Sequence, residues 1–504
     1  MMRRHVRVLG PILVGALALR CVCFAGLTLG DDPGYSSLAR AIVDHGFPSA
    51  GGDPLAARPL FLLPIAASVS IFGWSEAAMI APTLIASLAG IAAAYALGAL
   101  VESPAVGAAA ALTLAAFPLD VVYATTLTND IPGSAMVALG AAAGWLAIAH
   151  PSSPRLAASS GFILATALGV KLSFLVPATA VALMLTAVAV RDGRVGDVGR
   201  PVLAGYAAGL ATLAAFYLAS SGTALAPFDA EMSFNRRHLL PYLLSHRADV
   251  LTFYPRWALL WQAADQIVGR FAPYGVLFPF FLLALTRTAW TRSWRLAFAP
   301  VWALVTLAWL EFAPLQLLPY APIHRLPRFL AAAAIPAAIA IGSWAVAGWK
   351  SGGARRAVSV AACGVYLAAS AYAIAIMTFR QQDTMRDMRT AASVAAAYNG
   401  PIVADSELLN YLAIRQGYRH LERFRELQLP STVVPPDALV VVGGSRRSEL
   451  DPAWVDTYRP RAIAADWVVV ARLSPALEPW RRSQGVVYRT GALESTVALA
   501  GPGQ

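Results

Sequence analysis

The chain has 504 residues, 58% hydrophobic and only 13% charged, with a mean hydropathy of +0.59. A soluble fold of this length does not carry so much apolar surface, so the composition excludes a water-soluble enzyme and defines an integral membrane protein. The net charge of +11 does not point to nucleic acid, because many Arg and Lys residues sit in short breaks between apolar runs, and the three cysteines all lie in apolar segments, which offers neither a disulfide framework nor a metal cluster.

A short basic head, Met1 to Arg7, leads into Val8 to Leu29, an apolar run long enough to cross a hydrocarbon core of about 30 Å. It runs on into acidic residues without a small-residue cleavage site, and is read as a retained first span. Arg20 lies inside it, so its side chain either snorkels outward or pairs with a carboxylate within the bundle. The span ends on Gly30-Asp31-Asp32-Pro33-Gly34-Tyr35. Two adjacent carboxylates here are too well solvated for a mid-membrane charge, yet close enough to meet a lipid head group. The pair equally suits the cap of a helix starting near Ser36.

Residues 30–76 are broken by five prolines and are read as a first external loop with two surface-lying helices, Leu60 to Phe72 being shorter than a span. Spans are then expected at Ala77 to Leu100, Val106 to Leu119, Ile131 to Ala149, Leu156 to Val170, Leu172 to Val190, Val202 to Ala219, Ile267 to Leu285, Leu296 to Leu310, Phe329 to Ala347 and Val358 to Met377. The expected fold is a polytopic α-helical membrane domain of about eleven transmembrane helices over residues 1–379. The breaks carrying Arg191, Arg194 and Arg200, then Arg287, Arg292 and Arg295, then Lys350, Arg355 and Arg356, fall on the side of the basic N-terminus. The positive-inside rule then places the N-terminus in the cytoplasm and the C-terminus outside. Lys171, in an outer break, is either a phosphate contact or a snorkelling residue, and stays outside the candidate set.

Residues 221–270 form a second, long external loop rich in Arg, His and aromatics, including Arg236-Arg237-His238 and Tyr254-Pro255-Arg256-Trp257. That character suits anionic head groups or a solvated surface helix. From residue 380 hydrophobicity falls. Short β-branched runs at Pro401 to Ala404, Ala438 to Val442 and Trp467 to Ala471 alternate with helical stretches such as Ser406 to Arg415, which predicts a small extracytoplasmic α/β domain over 380–504. Gly443-Gly444-Ser445 is one Gly pair without a phosphate-loop fingerprint and is read as a turn.

Asp31-Asp32-Pro33-Gly34-Tyr35 resembles the Asp-Glu/Asp-x-x-Tyr signature that ends the first span of GT-C glycosyltransferases, in their protein O-mannosyltransferase and aminoarabinose-transferase branch. Leu38-Ala39-Arg40-Ala41-Ile42 is similar to that family's first loop helix. Arg58-Pro59-Leu60 with Phe72-Gly73, Asn129-Asp130, and His324-Arg325-Leu326-Pro327-Arg328-Phe329 resemble, in order, its basic-Pro-Leu segment, second acidic site and late Arg-Tyr motif. The chain departs from the family in having Asp32 where Glu is common, Ala57-Arg58-Pro59 where aminoarabinose transferases have Glu-Lys-Pro, and Phe329 in place of Tyr.

The resemblance implies transfer of a sugar from a polyprenyl-phosphate carrier to an acceptor hydroxyl of a lipid, glycan or protein, on the outer face of the membrane. The Ala- and Arg-rich composition without dense cysteines suits a bacterial inner membrane. Such chemistry needs a carboxylate to take the acceptor proton and cations to stabilise the leaving phosphate. Asp31 is then the candidate general base, with Asp32 and Asp130 positioning it or the acceptor. Arg58, Arg325 and Arg328 are the candidate phosphate ligands, since a guanidinium binds phosphate bidentately. An Asp pair fits a divalent cation and a metal-free base equally well. A lipid or glycolipid transporter is the rival expectation, but transporters place functional polar groups near the midplane of repeated halves, and no internal repeat is evident.

Overall fold

In the computed structural model, the described residues are 2–28, 31–49, 52–150, 153–240, 277–291, 293–316, 321–322, 327–404, 406–427, 431–442, 468–472, 486–491 and 495–498. Arg325, the Gly443-Gly444-Ser445 turn and the 241–270 part of the long external loop lie outside them.

The N-terminal helices are α1 (Met2–Val22), α2 (Asp31–His45), α3 (Pro59–Phe72), α4 (Glu76–Val101), α5 (Pro104–Ala115), α6 (Pro118–Tyr123), α7 (Asp130–Ala149) and α8 (Pro154–Thr166). They are followed by α9 (Leu175–Arg191), α10 (Arg200–Ser221), α11 (Ala226–Phe234), α12 (Leu277–Thr291), α13 (Trp294–Phe312), α14 (Ala331–Ser351), α15 (Gly353–Ala396) and α16 (Ser406–Arg415). Seven helical stretches among the described residues are long and apolar enough to cross a membrane: His5–Val22, Glu76–Val101, Asp130–Ala149, Leu172–Arg191, Val195–Ser221, Arg328–Ser351 and Gly353–Phe379. Pro59–Phe72, Pro104–Ala115 and Trp294–Leu310 are apolar but shorter.

Several expected spans differ from what is observed. Leu156 to Val170 ends early as the 13-residue α8 followed by a 3₁₀ turn, and Leu296 to Leu310 lies in a helix whose apolar part is short. The first part of Ile267 to Leu285 lies outside the described residues. Two more are interrupted or cut back. The run from Val106 to Leu119 is interrupted, because Pro118 has no N–H to continue a helix and holds Phe117 extended, at φ −74° and ψ 120°. What remains is α5, whose N-terminus Ser103 caps by accepting from Val106 N–H at 3.4 Å. The first helix stops at Val22, before Gly26 turns the chain in the left-handed region at φ +83°.

The chain divides into two compact units. The first comprises residues 1–24, 41–66 and 80–377. Its core is a continuous cluster of small and branched side chains, with Trp145, Trp302, Phe117 and Phe281 fully enclosed. Outward-facing Ile85, Leu183, Leu218 and Val365 are exposed, the surface a bilayer would cover. Arg20 is 0% exposed. Its Nη2 meets Asp120 Oδ1 at 2.5 Å, its Nε donates to Ser87 Oγ at 2.8 Å, and its Nη1 donates to the Ala16 carbonyl at 3.1 Å. Ser87 also donates to Asp120. The pairing, rather than snorkelling, is therefore what the bundle adopts, and it ties α1 to α4 and α6. A second ion pair, Arg287 Nη2 to Glu102 Oε1 at 2.7 Å, links α12 to the end of α4.

The second unit comprises residues 25–40, 67–79 and 378–504. Its strands are β1 (Ile402–Ala404), β2 (Phe424–Glu426), β3 (Leu439–Val442), β4 (Val468–Arg472) and β5 (Val486–Arg489), in the sheet order β2-β1-β3-β5-β4. β1 pairs parallel with β2 and β3, while β5 runs antiparallel to β3 and β4. Ile402, Val403 and Ala404 are all buried, as in a strand covered on both faces. Leu408, Tyr411 and Leu412 of α16 are buried as well.

Removing one member of a fully enclosed ion pair strands the other. Asp120→Ala is expected to lower unfolding stability by about 3 kcal/mol or more, and Arg20→Met combined with Asp120→Leu to recover most of that. Denaturant unfolding in a single detergent checks both.

Candidate active site

In the first unit, Asp130 opens α7 and is 2% exposed. A carboxylate in a first helical turn is favoured by the helix dipole, and Thr128 Oγ1 donates to its Oδ2 at 3.3 Å. Lys171 Nζ meets Asp130 Oδ1 at 2.6 Å, and Arg328 Nε lies 3.4 Å from Oδ2. Lys171 belongs to an extended residue between two short 3₁₀ turns, Ala167–Gly169 and Leu172–Phe174. It reaches Asp130 because Gly133 has no Cβ, where one would strike the Phe174 ring. The Lys171 amine also lies 3.7 Å from the centroid of the Phe329 ring. A phenyl ring suffices for that contact, so the missing tyrosine hydroxyl at position 329 costs it nothing.

Arg58 is buried just before α3. Tyr217 of α10 donates from its hydroxyl to the Ala57 carbonyl at 2.9 Å, which fixes the backbone beside Arg58. Burial, and then the Arg328 and Arg58 charges, push the Lys171 amine down to about 8 in spite of Asp130. Lys171 and Arg328 thus flank the Asp130 carboxylate, with Arg58 close enough to act on the lysine. Lys171, left out of the sequence-based set, is central to this cluster. Its signal in the sequence was a lone Lys between two spans, which an outward snorkel explains just as well.

In the second unit, Asp31 and Asp32 form the first turn of α2, which starts at Asp31 rather than near Ser36. Asp32 is 4% exposed, and its Oδ2 accepts from Thr28 N–H at 2.7 Å and Thr28 Oγ1 at 3.0 Å. Asp31 is half-buried. The pair therefore divides into one carboxylate held by the preceding turn and one more accessible. Ser36 and Tyr418 hydroxyls are 2.7 Å apart, and Arg40 lies 5.7 Å and 5.3 Å from the Trp74 and Tyr418 ring centroids. Among the described residues, no group of three or more His, Cys, Asp or Glu side chains comes together to cage a metal ion.

Residues 54–194, which hold Arg58, Asp130 and Lys171, match the model of the dolichyl-phosphate-mannose-protein mannosyltransferase family. No curated protein sequence matches the chain. Among solved structures, ArnT from Cupriavidus metallidurans in the apo state is similar with a TM-score of 0.53 at 14% identity, covering 95% of this chain and 97% of that one. The same protein bound to undecaprenyl phosphate gives a TM-score of 0.51 at 15% identity, over 99% of both chains. The Archaeoglobus fulgidus oligosaccharyltransferase in complex with Zn and sulfate gives a TM-score of 0.50 at 13% identity, covering 81% of this chain and 61% of that one. The chain is thus a multi-pass helical membrane protein with the fold of the GT-C membrane glycosyltransferases. The resemblance carried by its short motifs extends, as fold, along nearly the whole chain, and as a family match over residues 54–194.

The depressed amine makes stability depend on pH. Unfolded Lys171 stays protonated to about 10.5 and the folded residue only to about 8, so unfolding takes up a proton between those values. The Tm of the wild type relative to Lys171→Met should therefore rise as pH is raised through that window. A difference flat across it would sink the assignment.

Proposed function

We propose that the protein is an integral membrane glycosyltransferase that moves a sugar from a polyprenyl-phosphate carrier to an acceptor hydroxyl on the outer face of the membrane. The observation that carries this is the gathering of three cationic side chains, Lys171 and Arg328 against Asp130 and Arg58 beside Lys171. In a low-dielectric setting such a cluster suits a bound anion, and guanidinium groups match phosphate oxygens in pairs. That a protein of the same fold holds undecaprenyl phosphate supports a lipid-linked phosphate as that anion.

In the reaction, Arg58, Arg328 and Lys171, with Arg325 from the same motif, hold the donor phosphate. The acceptor oxygen attacks the anomeric carbon from the face opposite the phosphate. The bond from that carbon to the phosphate oxygen breaks, its electron pair leaves with the polyprenyl phosphate, and the anomeric centre inverts. Asp31 takes the acceptor proton as general base. Asp32 keeps the acidic turn in shape through Thr28, and Asp130 holds Lys171 in place. The Asp31-Asp32 pair suits a divalent cation as well as a metal-free base. The wider arrangement belongs to the same proposal. About eleven spans over residues 1–379 run from a cytoplasmic N-terminus, and an α/β domain over 380–504 sits outside, in a bacterial inner membrane.

Transfer from a panel of radiolabelled undecaprenyl-phosphate sugars to membrane extract tests this, with wild type beside an Asp31→Asn variant of equal Tm. Loss of a general base should slow transfer by about 10² to 10⁴. A wild type that moves no sugar while a GT-C relative does in the same assay would overturn the assignment.

A further inference from the structure

The acidic turn is held by a carboxylate that no sequence motif singled out. Glu76, the first residue of α4, has its side chain 9% exposed. Its Oε2 accepts from Leu27 N–H at 3.1 Å, immediately before the Thr28 that donates twice to Asp32. Its Oε1 accepts from Tyr411 Oη at 3.0 Å and from Arg415 Nη1 at 3.1 Å, both on α16. Arg389, near the end of α15, places its Nη2 3.8 Å from Glu76 Oε2 and donates to the Ala25 carbonyl at 2.5 Å.

Gly26 sits inside this ring of contacts. Its φ of +83° is one that side-chain-bearing residues rarely adopt, and a Cβ there would run into both Glu76 Oε2 and Arg389 Nη2. The backbone from Ala25 to Thr28 is thus closed onto Glu76 and Arg389 as tightly as a chain without a side chain allows. Burial and then the Glu76 charge push Tyr411 up to about 12, so its hydroxyl stays protonated across the working range.

We propose that Glu76 is a positioning residue. With Arg389, Tyr411 and Arg415 it clamps the Ala25–Thr28 turn and sets the aim of Asp31 and Asp32, making the C-terminal segment a working part of the acidic site. The proposal rests on Asp31 being the general base. Charge-assisted contacts of this kind hold geometry more firmly than neutral ones, and a shift of about 1 Å at a reacting group can cost about 10²-fold in rate.

The test uses full-length protein in nanodiscs, with the undecaprenyl-phosphate sugar that the wild type transfers. Glu76→Ala should lower kcat by about 10²-fold and leave KM for the lipid donor unchanged. Glu76→Gln, whose amide oxygen still accepts from Leu27 N–H, should regain part of the loss. Amide exchange at Leu27 and Thr28 should speed up in the same order. Where Glu76→Ala does not fold, Tyr411→Phe and Arg415→Lys each disturb one donor, and smaller falls in kcat with the same exchange pattern are expected. Wild-type kcat in folded Glu76→Ala, or a KM rise in place of a kcat fall, overturns the positioning role. Exchange at Leu27 and Thr28 unaltered in Glu76→Ala overturns the clamp whatever the transfer shows. Asp31→Asn transferring like the wild type overturns the base assignment instead, and with it the purpose of the clamp.

Discussion

Inside an apolar bundle a charge is tolerable only if something answers it, and the first unit follows that constraint. Arg20 is spent on Asp120, Ser87 and the Ala16 and Ala115 carbonyls, and Arg287 on Glu102 and Ser343. Each pair joins helices distant in sequence and closes its own account of charge. The cluster around Asp130 gathers more charge in one place. Lys171 and Arg328 share that carboxylate, with Arg58 near enough to depress the lysine further. A perturbed amine held among other charges is costly to bury, and such groups gather at functional sites.

The second unit solves a different problem with the same chemistry. An acidic pair at a helix start gains from the dipole, but the dipole does not choose where the pair points. Direction comes from hydrogen bonds to the turn in front of it, from Thr28 to Asp32 and from Leu27 to Glu76. Glu76 takes its other partners from Arg389, Tyr411 and Arg415, over three hundred residues further along the chain.

Much of the helical layout was legible in the sequence because long apolar runs admit few alternatives. Ile131 to Ala149 became Asp130–Ala149, and Ala77 to Leu100 became Glu76–Val101. Boundaries failed where one residue overrode the hydropathy, at Pro118 within an apolar run and at Gly26 before the acidic turn. Hydropathy over a window does not register a missing N–H or a left-handed φ. Among the described residues α5 and α13 are apolar but short, and a windowed hydropathy does not register where a helix stops.

At the site, Asp130 was legible as an acid at a span end. Its partner Lys171 was not, because the two are 41 residues apart and meet only through the close contact of Gly133 with Phe174. Glu76 was hidden more deeply, as an ordinary carboxylate at the start of an apolar helix. The burial of the Asp130 cluster has one more consequence. Bulk ions screen exposed charges over about 8–10 Å of water but have little purchase on enclosed ones. Lys171 and Arg58 are each less than a tenth exposed, so the electrostatics of this cluster are set by enclosure, and the salt of the surrounding medium does little to loosen them.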